Sequence, residues 1–241
     1  METYTELSEV YDYLLKDVDY DSWYSFLRTL MLKYVKNPSH ILELGCGTGK
    51  FGAKFSRDNY LIYGMDKSLE MLMVAKMRAF KYFRIFCGDM TNFYLSKNFD
   101  FIFTVNDTMN YLTNNSEITN TLRSIRKVMH KNSIFMFDIT TEYNIIKNFD
   151  GKVTRFNVKG MEVEWSNKYD SDNGFIYSTI NFYKKDGSFS TERHVQRIYS
   201  IAEIEGFLKR ENYKLIDIFG DYSFSSITAD TIMINFVTRK G

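Results

Sequence analysis

Apolar and polar positions follow two rhythms along this chain. Residues 1 to 36 read as helix, with Trp23, Phe26, Leu27, Leu30, Met31 and Tyr34 recurring at spacings of three and four to make one apolar stripe. Pro38, the only proline, should end that stripe, because the residue before a proline is driven out of the helical region. From 40 to 139 short apolar runs alternate with helix-period segments. The runs are ILEL, YLIYGMD, YFRIFCGDM, FDFIFTVND and SIFMFDI, and the clearest helix, over 115 to 130, carries Ile118, Leu122, Ile125, Val128 and Met129. Such alternation predicts a βαβ series and a parallel sheet.

The rhythm changes between 151 and 199. Lys159-Gly160, Asn173-Gly174 and Asp186-Gly187 are turn dipeptides separated by alternating runs such as FIYSTINFYKK, which predicts a four-stranded antiparallel meander. It contains no proline and no low-complexity linker, so an insert folded onto the main domain is expected rather than a tethered module. Ser200, three residues before Glu203, is a capping box for a helix with Ile204, Phe207 and Leu208 inward. YKLIDIFGDY and DTIMINFVTRK then read as two closing strands.

Candidate chemistry concentrates at the ends of the early strands. ILELGCGTGKF runs into Gly45, Gly47 and Gly49, a loop able to adopt positive φ and to bring backbone N–H groups against a ligand. A dinucleotide fingerprint needs a glycine at the sixth position, where this chain has Lys50. Asp66 follows Gly45 by 21 positions, at the offset where a carboxylate accepts from ribose hydroxyls. The third strand ends at Asp89 and Met90, the fourth at Asn106 and Asp107, and the fifth near Asp138. Singly, a G-x-G-x-G is a tight turn, and Asp66 before Lys67 and Ser68 is a helix cap. Their order and register favour one ligand crevice at the strand ends.

This set resembles the class I S-adenosylmethionine-dependent methyltransferases through ILELGCGTGKF, GMDKS, CGDM and NDTMNYL. VYDYLLKDVDYDSW and ERHVQRIYS are similar to a bacterial subgroup related to sugar N-methyltransferases. The resemblance implies an α/β fold: a Rossmann-like, seven-stranded, mostly parallel sheet with helices on both faces and a small antiparallel sheet inserted after the fifth strand. Residues 1–150 and 200–241 would form the cofactor domain with an N-terminal helical lid, and 151–199 would cover the acceptor site. The implied cofactor is S-adenosyl-L-methionine. Gly45, Cys46, Gly47 and Gly49 would hold its methionine part with Glu43 supporting the amino group, and Asp66 and Lys67 would meet the ribose end. Asp89 and Met90 would bracket adenine, Asn106 would approach the sulfonium, and Tyr11 would close over the carboxylate. One departure is Lys131-Asn132 before the fifth strand, where the family often has Pro-Gly.

Composition narrows the partners. Among 241 residues, 44% are hydrophobic and 25% charged, as in an ordinary globular protein. A net charge of +1 gives no global field for a polyanion. Arg123, Arg126, Lys127 and Lys131 read as a solvated helix face. Two cysteines, Cys46 and Cys87, are expected to be reduced, and with three histidines they do not suggest a metal site. The acidic start METYTELSEVYDYLLKD lacks a secretory pattern and no run of about 18 apolar residues occurs, so a soluble cytoplasmic protein, not a membrane one, is expected.

The favoured acceptor is a small molecule with an amine or hydroxyl, sugar-like in character. RNA or protein methylation and non-catalytic cofactor binding are the alternatives. A protonated acceptor needs a base, for which His194 is the candidate, with Glu192 on the same strand face and Arg193 and Arg197 on the other. Tyr111 and Tyr199 are further candidates, and Arg197 could bind an anionic substrate group. The cavity is expected to be lined by the N-terminal helix and one face of the meander. Oligomeric state is not legible.

Overall fold

The computed structural model describes residues 4–158 and 160–241. The stretch expected to be helical forms two helices, α1 (Leu7–Leu14) and α2 (Tyr20–Tyr34), with the apolar stripe wholly on α2; residues 1–3 lie outside the described residues. They are separated where the Asp19 carboxylate accepts from Ser22 N and caps α2. The alternating stretch then gives β1 (His40–Leu44), α3 (Lys50–Arg57), β2 (Leu61–Asp66), α4 (Leu69–Lys76), β3 (Phe83–Cys87) and β4 (Phe99–Thr104). A single 3-10 turn, Thr108–Tyr111, leads to α5 (Asn115–Lys127) and β5 (Met129–Thr140).

After α6 (Glu142–Asn148), which the sequence pattern did not predict, come the meander strands β6 (Val153–Val158), β7 (Met161–Asp170), β8 (Phe175–Tyr183) and β9 (Phe189–Arg197). The chain closes with α7 (Ile201–Arg210), β10 (Tyr213–Gly220) and β11 (Met233–Lys240).

The main sheet has the order β10-β11-β5-β4-β1-β2-β3. β1 to β5 pair in parallel, while β11 runs antiparallel to both β5 and β10. Strand order reverses where β1 lies between β2 and β4, and in an open parallel sheet ligands bind outside the carboxyl ends at such a reversal. Two cores sandwich the sheet. On one face Ile102 of β4 packs with Ile118, Leu122 and Ile125 of α5 and Phe207 of α7. On the other, Phe101 and Phe103 of the same strand pack with Leu27 and Leu30 of α2 and Phe55 of α3. That partition follows from the period of two along a strand.

Met129, expected in the preceding helix, begins β5. The β4–β5 register shifts between the pairs Phe99/Met129 and Phe101/Ile134, so Lys131 and Asn132 sit in a bulge of β5 rather than in a plain turn.

The meander forms its own antiparallel sheet, order β6-β7-β8-β9. Gly174 and Gly187 take φ of +71° and +82° in the expected turns; at the first turn Gly160 has φ +82°, while Lys159 lies outside the described residues. Its inner face does not roof the strand tips. Val158, Val163, Ile180 and Phe182 pack instead against Leu7 and Val10 of α1. The capping box between Ser200 and Glu203 is present, and Ile204, Phe207 and Leu208 are buried as expected. Among the described residues no helix is long and apolar enough to cross a membrane.

Candidate cofactor and acceptor site

The three glycines after β1 have different tasks. All take positive φ, but a Cβ at Gly47 would meet nothing within 4 Å, so its backbone is open to a ligand. A Cβ at Gly45 would lie 2.6 Å from Thr108 Cγ2, and one at Gly49 would lie 2.8 Å from the Phe83 ring. Gly49 is the N-cap of α3 and does not line the cavity beside this loop. Its expected place among ligand-binding residues is corrected on that ground: the fold needs a glycine there to pack helix against strand.

The cavity has a volume of about 520 Å³, within the range of small-molecule sites. Its floor is the loop Gly45 to Thr48, its flank Asp66, Lys67, Asp89 and Met90, and its far wall Asn106, Thr108 and Tyr111. Tyr4, Tyr11 and Tyr20 form the roof. Tyr11, Glu43, Gly45, Cys46, Gly47, Asp66, Lys67, Asp89, Met90 and Asn106, all picked from sequence, are thus brought together.

Charge on this surface is predominantly anionic. Glu43, at the end of β1, is 2% exposed, its Oε2 has no hydrogen-bond partner, and burial pushes its carboxyl well above the usual range against a bond from the Gly52 backbone. A buried carboxylate with a vacant acceptor fits a ligand ammonium. Asp66 Oδ2 accepts from Gly47 N at 2.7 Å and Oδ1 from Ser68 N at 2.9 Å, and burial raises its pKa despite those bonds. Asp89 is likewise pushed up by burial, but Lys67 Nζ at 2.8 Å and Thr91 outweigh this and hold it below its ordinary value.

At the tip of β4, Asn106 and Asp107 both adopt the left-handed region, φ +60° and +52°. Asn106 Nδ2 donates to Tyr11 Oη at 3.0 Å. The half-buried Asp107 accepts from Gln196 Nε2 at 2.7 Å, is paired with no cation among the described residues, and is pushed up to about 6 by burial. The Tyr4 ring meets Tyr11 at 6.0 Å and Tyr111 at 5.8 Å, and the Asp107 charge reaches all three phenols, helping to raise each above its ordinary value after burial.

His194 is not part of the cavity wall, which corrects its candidacy as the base. It is 3% exposed and stands behind Tyr4 and Tyr111, with Nδ1 3.2 Å from Tyr111 Oη and Nε2 3.2 Å from Glu192 Oε2. Glu192 in turn accepts the backbone N–H groups of Tyr4, Glu6 and Leu7 at 2.8, 2.5 and 3.0 Å. It thereby caps α1, whose own N-cap residue supplies no side-chain bond. Burial raises the Glu192 pKa, but these donors and His194 more than offset it and leave the carboxyl below its ordinary value.

Among the described residues, none of 151–199 lines the cavity. The expected meander wall is therefore replaced by α1 and its flanks, and the meander holds them from behind. Of the other expectations, Tyr111 reaches the cavity, whereas Tyr199 is buried with its hydroxyl on the Leu112 carbonyl. Arg197 pairs with Glu203 at 2.8 Å and Asn115 at 3.0 Å, away from the cavity.

Sequence reasoning missed the second attachment of α1. Asp12 bonds Thr48 Oγ1 at 2.8 Å, lies 3.5 Å from Lys50 Nζ and pairs with Arg78, which also donates to the Thr48 carbonyl. Its adjacency to Tyr11 was the available signal. Cys46 is a buried free thiol and Cys87 an exposed one. Among the described residues no group of three or more His, Cys, Asp or Glu side chains could hold a metal ion.

Residues 41–132 match the methyltransferase-domain family. A Geobacillus sp. (strain WCH70) protein named as a candidate methyltransferase is 25% identical over 246 residues, covering 99% of this chain and all of the relative. The crystal structure of an S-adenosylmethionine-dependent methyltransferase from Clostridium acetobutylicum superposes with a TM-score of 0.85 at 23% identity, covering all of both chains. The sugar N-methyltransferase KedS8 from Streptoalloteichus superposes with a TM-score of 0.78 at 14% identity, covering 96% of this chain and 93% of that one.

Proposed function

We propose that this S-adenosylmethionine-dependent methyltransferase acts on the amine of a small, sugar-like molecule. The observation that carries the acceptor class is Asp107, an acid without a paired cation among the described residues, whose charge reaches three tyrosines that line the cavity, Tyr4, Tyr11 and Tyr111. A buried carboxylate with no counter-charge is costly unless a cation arrives to meet it, and tyrosine faces also attract cations. That a sugar N-methyltransferase shares the fold supports the same reading.

When bound, the cofactor supplies a methyl group already activated on a positive sulfur. The chain's own residues have to hold and align. Glu43 would take the amino group through its unpaired Oε2, Gly47 would offer open backbone to the methionine part, and Asp66 would accept from the ribose hydroxyls. Asp89 and Met90 would flank adenine, and Asn106, braced by Tyr11, would meet the sulfonium end. Alignment of this kind can contribute roughly 7 to 11 kcal/mol to a displacement. An ammonium has no lone pair until it loses a proton. Asp107, with a pKa raised to about 6, is ionised at neutral pH and adjoins the wall residues Asn106 and Thr108 without itself lining the cavity, so it favours the cation rather than reaching its proton directly.

Transfer of labelled methyl from S-adenosylmethionine tests this against separate pools of primary amines, amino sugars, hydroxyl compounds and RNA. Label in the amines is expected, falling steeply in Asp107→Asn. Label confined to hydroxyl compounds or RNA refutes the acceptor class.

A further inference from the structure

The turn after β4 requires a restraint that the cavity does not provide. Asn106 and Asp107 are consecutive non-glycine residues in the left-handed region, a strained conformation that persists only where surroundings impose it. Successive N–H groups in such a turn converge and form a concave anion site. Here the anion is internal. Asp138, on β5, accepts from Asn106 N through Oδ2 at 2.7 Å and from Asp107 N through Oδ1 at 2.8 Å.

The carboxylate is 0% exposed and has no cationic partner among the described residues. The Tyr222 hydroxyl donates to Oδ2, Asn106 N also reaches Tyr222 Oη at 3.1 Å, and the Tyr222 ring stacks on Trp23 of α2 at 3.8 Å between centroids and 12° between planes. Tyr222 N is fixed in turn by Asn235 Oδ1 on β11 at 2.8 Å, and Asn235 lies directly opposite Asp138 in the sheet. Four elements therefore converge on one carboxylate, and its two outward bonds fix the backbone of Asn106 and Asp107.

We propose that Asp138 and Tyr222 are positioning residues for methyl transfer: they hold the Asn106–Asp107 turn and so set where Asn106 stands at the cavity and where Asp107 stands beside it. This rests on the functional reading above for its consequence, though not for its geometry. The groups facing Asp138 are Tyr222 and Asp107, the latter's charge adding to the rise caused by burial, and the result is a carboxyl raised to about 7. Protonation below that pH weakens Asp138 as acceptor for both amides. Cofactor affinity should therefore fall as pH drops from 8 to 6. A group that only filled the core would impose no such profile.

The test uses Asp138→Asn and Tyr222→Phe in the full chain. Amide exchange at 106 and 107 is measured on the free protein, and S-adenosylmethionine affinity by calorimetry from pH 6 to 8. In Asp138→Asn, one acceptor is replaced by a donor facing an N–H, so exchange should accelerate, and affinity should fall at least tenfold and lose the part of its pH dependence centred near 7, while the raised Glu43, Asp66 and Asp107 carboxyls keep theirs. Tyr222→Phe, which keeps both backbone bonds, should show about a fivefold loss with the pH profile retained, as for one hydrogen bond. Unchanged exchange in both variants overturns the proposal. So does wild-type affinity in Asp138→Asn with an unaltered pH profile. Wild-type protein that binds no cofactor at any pH overturns the functional reading instead, and exchange in the free protein still decides whether the turn is held by Asp138. Should Asp138→Asn fail to fold, Tyr222→Phe alone decides: wild-type affinity in it counts against the proposal.

Discussion

Replacing Glu192 by Gln should release the roof of the cavity while leaving its floor intact. The carboxylate is fully buried and takes three backbone N–H groups from the start of α1 and one bond from His194. Glutamine retains one acceptor oxygen. If it serves Glu6 and Leu7, as Oε1 does now, the amide NH2 points at Tyr4 N, which loses its partner. Hydrogen bonds to charged groups contribute about 1.5–3 kcal/mol each, and the two that survive become neutral and weaker, so a loss of about 3 kcal/mol is expected. At 1.4 kcal/mol per factor of ten, opening of α1 should become about a hundredfold more frequent.

Hydrogen exchange over residues 4–18 reads this directly, with α5 as an internal control that should not change. S-adenosylmethionine affinity should fall in parallel, because Tyr11 and Asp12 travel with the helix. The sign with pH follows from the depressed Glu192 pKa: its contribution is fully present above the ordinary carboxyl value of 4.5 and is lost only as pH falls through the lower folded value. Wild-type α1 should therefore remain protected at pH 5. Equal exchange over 4–18 in wild type and Glu192→Gln would refute the capping role.

Glu43→Gln separates stability from binding. The raised pKa of Glu43 means that its contribution to folding is greatest below pH 4.5 and is lost as pH rises through the folded value, so the variant should melt several degrees higher at pH 8 than wild type. The same change should weaken cofactor binding about tenfold, and scanning fluorimetry with calorimetry checks both. Gly45→Ala pushes a Cβ into Thr108 at positive φ and should abolish measurable cofactor binding; trimming Thr108 to Ser should restore part of it. Asp66→Ala should lower cofactor affinity by at least tenfold, since it removes both the proposed ribose acceptor and the bond to Gly47 N. Unchanged titration of that variant removes Asp66 from the site.

What was legible in the sequence is what is local. Apolar runs marked the strands, the glycine loop marked the end of β1, and acid-tipped strands marked the crevice, because each depends on neighbours within a few positions. The period of two even placed Glu192 and His194 correctly on one face of β9. It could not say what that face would meet. Glu192 answers backbone groups near residue 6, and backbone N–H groups carry no side-chain signature, so His194 read as a candidate base although its partner on the strand caps a helix. The direction in which the meander docks was hidden for the same reason: Val163, Ile180 and Phe182 announce an apolar face, not the identity of the helix against it. Asp138 read as one more strand end, because nothing in the string indicates that Asn106 and Asp107 would take left-handed backbone.

The cap on α1 also bears on how the molecule is made. Glu6 and its acceptor are separated by 186 positions, so on a ribosome the first helix emerges long before the strand that will anchor it. Contacts of such high sequence separation form late, and domains assemble in the order in which their partners appear. The parallel strands can pair while the meander is still being synthesised, leaving a nascent crevice with nothing above it. Sealing must wait for β9, and a chain stalled before residue 192 would lack both the anchor of its first helix and the two antiparallel strands, β10 and β11, that complete the sheet.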